Sequence, residues 1–265
     1  MTKRVYKKWT IEEVSDLKKF YPDKDKEWLQ EYFGRKWKSI TDKASKEKIR
    51  KSKGNEGLEI LLDNSIQSMY WIGFLLADGH VAEDRLSVEL STKDKTQLEK
   101  FARYIKTSNW YERERLLNGK TYYQNSVAVH NNAVIPKIRK IFDINNNKTK
   151  NPPSIKDYKL SDTQLISLFI GFIDGDGSIY VPSYTEKLRI ECDKQWYENL
   201  LFFENLIYKK FEHTKNVEQL TKISSRNSAV LEVSSASLLR KLKKFIIDNK
   251  IVVMDRKWDL VKNSV

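Results

Sequence analysis

The chain has 265 residues, enough for one large domain and one small one, and carries 49 Lys and Arg against 36 Asp and Glu, a formal net charge of +13. The basic residues are interleaved with 13 Tyr and 7 Trp rather than confined to a tail, a balance that favours a polyanionic partner through counterion release. The single cysteine, Cys192, excludes an intramolecular disulfide and a thiolate zinc ribbon, and the longest apolar run, the eight residues from Tyr70 to Ala77, is far short of the roughly 20 a membrane helix needs.

In chain order, the N-terminal MTKRVYKKWT is charged throughout and lacks the apolar stretch of a signal peptide, so a reducing, cytoplasmic setting without a membrane partner is expected. Thr10 followed by Glu13 is a capping box that opens a helix with Val14, Leu17 and Phe20 on one face, closed by Tyr21-Pro22. Asp25 is placed to cap a second helix through Trp28, Leu29 and Phe33, which Gly34 breaks. A third helix starts near Arg35 and carries Trp37 and Ile40. Nine basic residues and two acids lie between Arg35 and Lys53, so its solvated face is almost wholly positive. The Trp pattern and the RKWKSITDKA segment resemble the small helix-turn-helix domains of Myb-like type, which seat such a helix in the major groove. That resemblance makes residues 1–52 a DNA-binding domain and Arg35, Lys38, Lys43 and Lys46 its DNA contacts. A linker that becomes helical near Leu58 is expected over 53–65.

The remainder is an internal repeat, with boundaries expected at 66–157 and 158–265. YWIGFLLADGHV (70 to 81) returns as LFIGFIDGDGSIYV (168 to 181), which sets Asp78 and Asp176 98 positions apart. LSVELSTKD from Leu86 returns as LRIECDKQW from Leu188, both alternating as a half-buried strand does, and VAVHNNAVIPKIRKIF from Val127 returns as LEVSSASLLRKLKKFI from Leu231. Each unit reads helix, two strands, helix, two strands, helix. The expected fold is α+β: two pseudo-symmetric αββαββα repeats with saddle-like antiparallel sheets, plus the N-terminal three-helix domain, in a monomer.

Gly73 and Ala77, and again Gly171 and Gly175, stand four apart, the spacing that lets two helices approach until their backbones nearly touch. Ile72, Phe74, Leu75 and Leu76 in one copy, and Phe169, Ile170, Phe172 and Ile173 in the other, can bury the remaining faces. Asp78 and Asp176 then meet at two helix C-termini, where unpaired carbonyls add negative potential. Hard divalent cations relieve such a site, and oxygen-only ligands suit Mg²⁺, with the carbonyls of Ala77 and Gly175 as partners to the two carboxylates.

These residues resemble the LAGLIDADG family of homing endonucleases over roughly 66 to 265. FIGFIDGDGSI matches the family pattern closely, whereas WIGFLLADGH has Leu76 where the motif's first aspartate stands and Asp174 occupies that place in the second copy. The family's metal ligand is the second aspartate, which both copies keep. The resemblance implies a monomeric, intron-encoded, mobile endonuclease that uses Mg²⁺, with Ca²⁺ or Mn²⁺ as substitutes for binding or activity. It also implies cutting of both strands of double-stranded DNA across the minor groove at a long site, with 3′ overhangs and one sheet per repeat astride the major groove. It points to Lys148 and Lys257 as the basic residues that assist hydrolysis. On the strands, Ser87, Glu89 and Ser91, and Arg189, Glu191 and Asp193, alternate with apolar residues and should face DNA, joined by Arg113, Arg115, Lys222 and Arg226 from neighbouring strand-like stretches. His80, His130 and His213 are read as non-catalytic and Cys192 as a core residue. The alternatives are a non-enzymatic DNA-binding regulator and an intron maturase whose partner is RNA.

Overall fold

The computed structural model describes residues 8–21, 24, 26–49, 57–117, 119–213 and 220–263. The chain divides into two compact units, Met1–Asn55 and Glu56–Val265.

The smaller unit packs three helices, α1 (Ile11–Phe20), α2 (Lys26–Phe33) and α3 (Trp37–Lys46). Thr10 caps α1 with both arms of the capping box formed, its hydroxyl accepting from the Glu13 N–H and the Glu13 carboxylate accepting from the Thr10 N–H. Leu17, Leu29, Phe33, Ile40 and Ala44 fill the core, with Trp9, Phe20, Trp28 and Trp37 packed around them. Pro22 and Asp25, expected at the first helix stop and the second helix start, lie outside the described residues, as do the 52/53 boundary and the first part of the expected linker. The last part of that linker turns helical where the sequence places it. Leu58–Leu62 forms a 3-10 turn whose Leu58 and Leu61 are buried in the core of the larger unit, because apolar side chains gain more there than in water.

The larger unit is built twice from the same element order. The first copy runs α4 (Ile66–Ala77), β1 (Gly79–Val81), β2 (Arg85–Ser91), α5 (Lys95–Tyr104), β3 (Trp110–Leu117), β4 (Lys120–His130) and α6 (Ile135–Ile141). The second runs α7 (Asp162–Asp176), β5 (Gly177–Tyr180), β6 (Lys187–Asp193), α8 (Tyr197–Lys210), β7 (Thr221–Ile223), β8 (Ser228–Val233) and α9 (Ala236–Asp248), followed by the short α10 (Asp255–Trp258). Each copy makes a four-stranded antiparallel sheet, ordered β1-β2-β4-β3 and β5-β6-β8-β7. The two αββαββα repeats read from the sequence are therefore present.

The strands alternate as half-buried strands must. Leu86, Val88 and Leu90 of β2 are buried and Ser87, Glu89 and Ser91 are not; Leu188 and Ile190 of β6 are buried while Arg189 and Glu191 are not. Cys192 is half-buried and packs against the core. One face of each sheet thus carries the apolar side chains and the other is left polar.

Helices α4 and α7 run through the centre of the unit and are buried on nearly every side. A methyl group on Gly73 would come within 1.8 Å of the Leu168 carbonyl oxygen, and one on Gly171 within 1.8 Å of the Tyr70 carbonyl oxygen. Any side chain at either position would push the two backbones apart. Ser167 donates to the Ile66 carbonyl at 2.6 Å and Gln164 to that of Asn64 at 2.6 Å, so polar bonds cross the same seam.

Candidate metal centre and nucleic-acid interface

Because the helices α4 and α7 approach so closely, their C-terminal ends arrive together. A methyl group on Gly175 would lie 2.2 Å from the Ala77 Cβ and 3.3 Å from the Asp78 nitrogen. The backbone that leads into Asp78 therefore abuts the backbone that leads into Asp176. Both carboxylates remain open to water at the surface, yet they are crowded by surrounding protein atoms. Crowding raises Asp78 above the ordinary carboxylate range against the opposing pull of Lys257 and Lys148. Asp176 is pushed up to about 6, by loss of solvation and then by the charge of Asp78 beside it.

The two lysines occupy equivalent places. Lys148 reaches back from the segment after α6 and donates to the carbonyls of Leu76 at 2.7 Å and Ala77 at 2.5 Å. Lys257, on α10, donates to Ile173 at 2.9 Å, Asp174 at 2.6 Å, Gly175 at 3.3 Å and Gly177 at 2.6 Å. Each ammonium thus satisfies carbonyls that a helix end leaves without partners and opposes the negative end of the helix dipole. They differ in environment: Lys257 is 5% exposed and Lys148 is half-exposed. Burial lowers both from the ordinary lysine range, while Asp176 and Asp78 hold Lys148 up and Asp174 and Asp78 hold Lys257 up.

Asp174, at the motif position that is Leu76 in the first repeat, is fully buried and turned away from this cluster. Its carboxylate accepts from the Tyr70 hydroxyl at 2.6 Å, the Met254 N–H at 2.8 Å and the Trp258 indole at 2.9 Å. Gln97 donates to the Tyr70 oxygen at 2.6 Å and completes the network. The departure from the motif therefore alters the seam between the repeats and leaves the two surface aspartates in place. The C-terminal segment that carries Lys257 is itself tied to the first repeat, through an Arg256–Asp94 ion pair and through Lys100, which bonds Asp255 at 2.7 Å and the Val253 carbonyl at 2.7 Å. None of these cross-repeat partners shows in the sequence, because they stand 104 to 162 positions apart.

The outward face of the first sheet brings together Ser87, Glu89, Ser91 and, by strand register, Arg113, which lies 3.4 Å from Glu89. The side chain of Arg115 lies outside the described residues. On the second sheet, Arg189 is held between Glu191 at 2.8 Å and Glu232 at 3.0 Å, Asp193 is paired with Lys150, and Lys222 is exposed on β7. Arg226 is not on a strand: it sits in the turn between β7 and β8, since Ser224 and Ser228 close a tight hairpin around it. His80 projects from β1 beside Ser87, His130 lies near Asp84, and His213 bonds the Ser235 hydroxyl. Positions 111, 122 and 124 share the outward face of the first sheet; the alternation within TYYQNSVAV is the signal that could have marked them.

In the smaller unit the basic residues separate by role. Lys38 and Lys46 are exposed on α3 and Lys43 bonds Glu47 at 2.6 Å. Arg35 corrects the expectation of a DNA contact: its side chain is 6% exposed, stacked 4.2 Å over Trp9, and bonded to Glu13 at 2.8 Å and the Lys8 carbonyl at 3.0 Å. The guanidinium pins the start of α3 to α1 and to the segment before it, and is held against the smaller unit's core.

Residues 65–140 match the family described as the LAGLIDADG-like domain. The fold of the larger unit is shared with the homing endonuclease I-WcaI, solved bound to its DNA recognition sequence, at 18% identity and a TM-score of 0.53, over 76% of this chain and 87% of that one. Matches at lower TM-scores include the N-terminal LAGLIDADG domain of DUF199/WhiA (0.42, 16% identity, 73% of this chain and 91% of that one). Another is I-DmoI in complex with DNA and Mn (0.38, 14% identity, 70% and 96%). No curated protein matches the chain in sequence. Residues 65–140 are thus similar to a LAGLIDADG-like domain, and the chain shares its fold with I-WcaI.

Proposed function

We propose that the larger unit is a DNA endonuclease that hydrolyses both strands of a long duplex site with divalent metal ions, and that the smaller unit adds a separate DNA-binding element. The observation that carries this reading is the meeting of Asp78 and Asp176 at the abutting ends of α4 and α7, with Lys148 and Lys257 seated on the same helix ends.

The donor set fits a hard cation. Among the described residues no group of three or more His, Cys, Asp or Glu side chains could hold a metal. Two carboxylates and the second lone pairs of the Ala77 and Gly175 carbonyls are all oxygens, the chemistry of Mg²⁺, which keeps water and takes phosphate oxygens for its remaining positions. Ca²⁺ and Mn²⁺ accept the same atoms. Loss of solvation, and then the neighbouring charge of Asp78, lifts Asp176 to about 6, and a cation offsets that cost. When bound, such an ion supplies an activated water and stabilises the leaving oxygen. The chain's own residues position the rest. The ammonium groups of Lys148 and Lys257 lie within electrostatic reach of the carboxylates, and fixed positive charge there stabilises negative charge that develops on the phosphate. The polar outward faces of the two sheets supply Ser87, Glu89, Ser91, Arg113, Arg189, Glu191, Asp193 and Lys222 for groove contacts, with Arg226 on its turn and position 115 in register with Tyr122 on β4. In the smaller unit Lys38, Lys43 and Lys46 offer α3 to the backbone or the major groove. One chain contains both repeats, so a monomer suffices.

The test is incubation of the purified chain with a library of long random duplexes and Mg²⁺, followed by sequencing of the cut ends. Recurrent double-strand cuts with short 3′ overhangs at one extended sequence are expected. Tight binding of a selected duplex with no cutting in any divalent metal would replace the endonuclease by a DNA-binding regulator.

A further inference from the structure

Resting on the endonuclease reading, we propose that the distal ends of β3 and β4 form a DNA-reading arm that the second repeat lacks, so that the target is contacted over unequal lengths on the two sides of the cut.

The register defines the arm. Strand β2 ends at Ser91, opposite Gln124, and Gln124 is opposite Arg113. Beyond that level the ladder continues as two strands alone, Glu114 to Leu117 paired with Lys120 to Tyr123, and turns through Gly119 at φ +73°. In the second sheet the equivalent level is Asp193 opposite Ser228, where β8 begins and the Ser224–Ser228 turn closes. Among the described residues the second repeat has no overhang. Four extra residues per strand reach about 13 Å at roughly 3.3 Å each, which is about four base pairs of duplex at roughly 3.4 Å apiece.

Charge on the arm is sorted by face. By register, positions 111, 113, 115, 117, 120, 122 and 124 belong to the face continuous with Glu89 and Ser91, and they are Tyr, Arg, Arg, Leu, Lys, Tyr and Gln. The reverse face has both acids of the ribbon, Glu112 and Glu114, with exposed Leu116. A two-stranded ribbon has too little core to be rigid in water by itself, and the major groove is wide enough to admit one. A face of two arginines, a lysine, two tyrosines and a glutamine, apolar only at Leu117 beside the turn and in line with the polar face of the sheet, fits that groove, and the acidic reverse face does not.

The test uses the full chain and the duplex recovered by the cleavage selection. Every base pair of that duplex is substituted in turn, and cleavage of each variant is scored. The wild-type chain should tolerate substitution sooner on one side of the cut, with the other side informative for about four base pairs further. A variant with 114–123 replaced by a two-residue Asn-Gly turn should lose that excess alone, and Arg115→Glu, which leaves the backbone intact, should weaken binding about tenfold with the other flank unchanged. A wild-type profile of equal length on both sides overturns the arm while leaving the endonuclease standing. Failure of the wild-type chain to cut any duplex overturns the endonuclease reading and the arm with it.

Discussion

At single residues the predictions follow from which groups line the proposed metal centre and how. Asp78→Asn and Asp176→Asn keep shape and remove charge. Each should abolish double-strand cleavage while binding in Ca²⁺ persists, measured on a labelled target, and full double-strand cutting by either variant would refute a shared centre. The same substitution should act on stability in the opposite sense. Asp176 has its folded value raised to about 6, so the native state binds more protons than the unfolded one between about 4 and 6, and stability falls as pH rises through that window. In chelator, Asp176→Asn should therefore be more stable than wild type at pH 7, by no more than about 1 kcal/mol because water reaches the carboxylate, and equal to it near pH 4. Thermal unfolding at the two pH values decides this. The lysines should divide: Lys148→Met slows cleavage with little change in unfolding, whereas Lys257→Met also destabilises by about 2–4 kcal/mol, because four carbonyls lose a buried donor. Asp78 and Asp176 were legible because each ends a repeated motif. Arg35 was misread because a charge in a basic run looks solvent-facing, and only Trp9 and Glu13 folded over it say otherwise.

Among the elements, the seam between α4 and α7 is the most sensitive. Gly73→Ala and Gly171→Ala place a methyl against backbone oxygen at 1.8 Å, contacts that no side-chain rotation relieves. Each should cost about 2–4 kcal/mol, seen as a lower denaturant midpoint for the larger unit, and a wild-type midpoint would mean the helices can slide. The spacing of small residues made this seam readable, just as period-two alternation made β2 and β6 readable. What escaped was pairing: the Asp174–Tyr70–Gln97–Trp258 network and the Arg256–Asp94 tie depend on which helix end meets which loop, and no local pattern encodes that. The long β3–β4 ribbon did leave a trace, since Asn118-Gly119 between two alternating runs is a hairpin signal.

For the molecule as a whole, the two units should separate in function. Deleting residues 1–55 removes α1 to α3 and their basic face, and should weaken affinity and flatten its salt dependence while cutting of a bound site continues; unchanged affinity and slope would deny the smaller unit a role in binding. The larger unit, for its part, has diverged past the point where either half could stand in for the other. Tyr70 of one central helix meets Asp174 of the other, and by the motif spacing their counterparts are Leu168 and Leu76. A homodimer made from two first repeats would set each Tyr70 hydroxyl against leucine, with its acceptor gone. One made from two second repeats would bury two carboxylates, each short of a donor. Either penalty is of order 1–3 kcal/mol per orphaned group and is counted twice by symmetry. Duplication gave the chain its halves, and one buried hydroxyl–carboxylate pair now bars the road back to a symmetric ancestor.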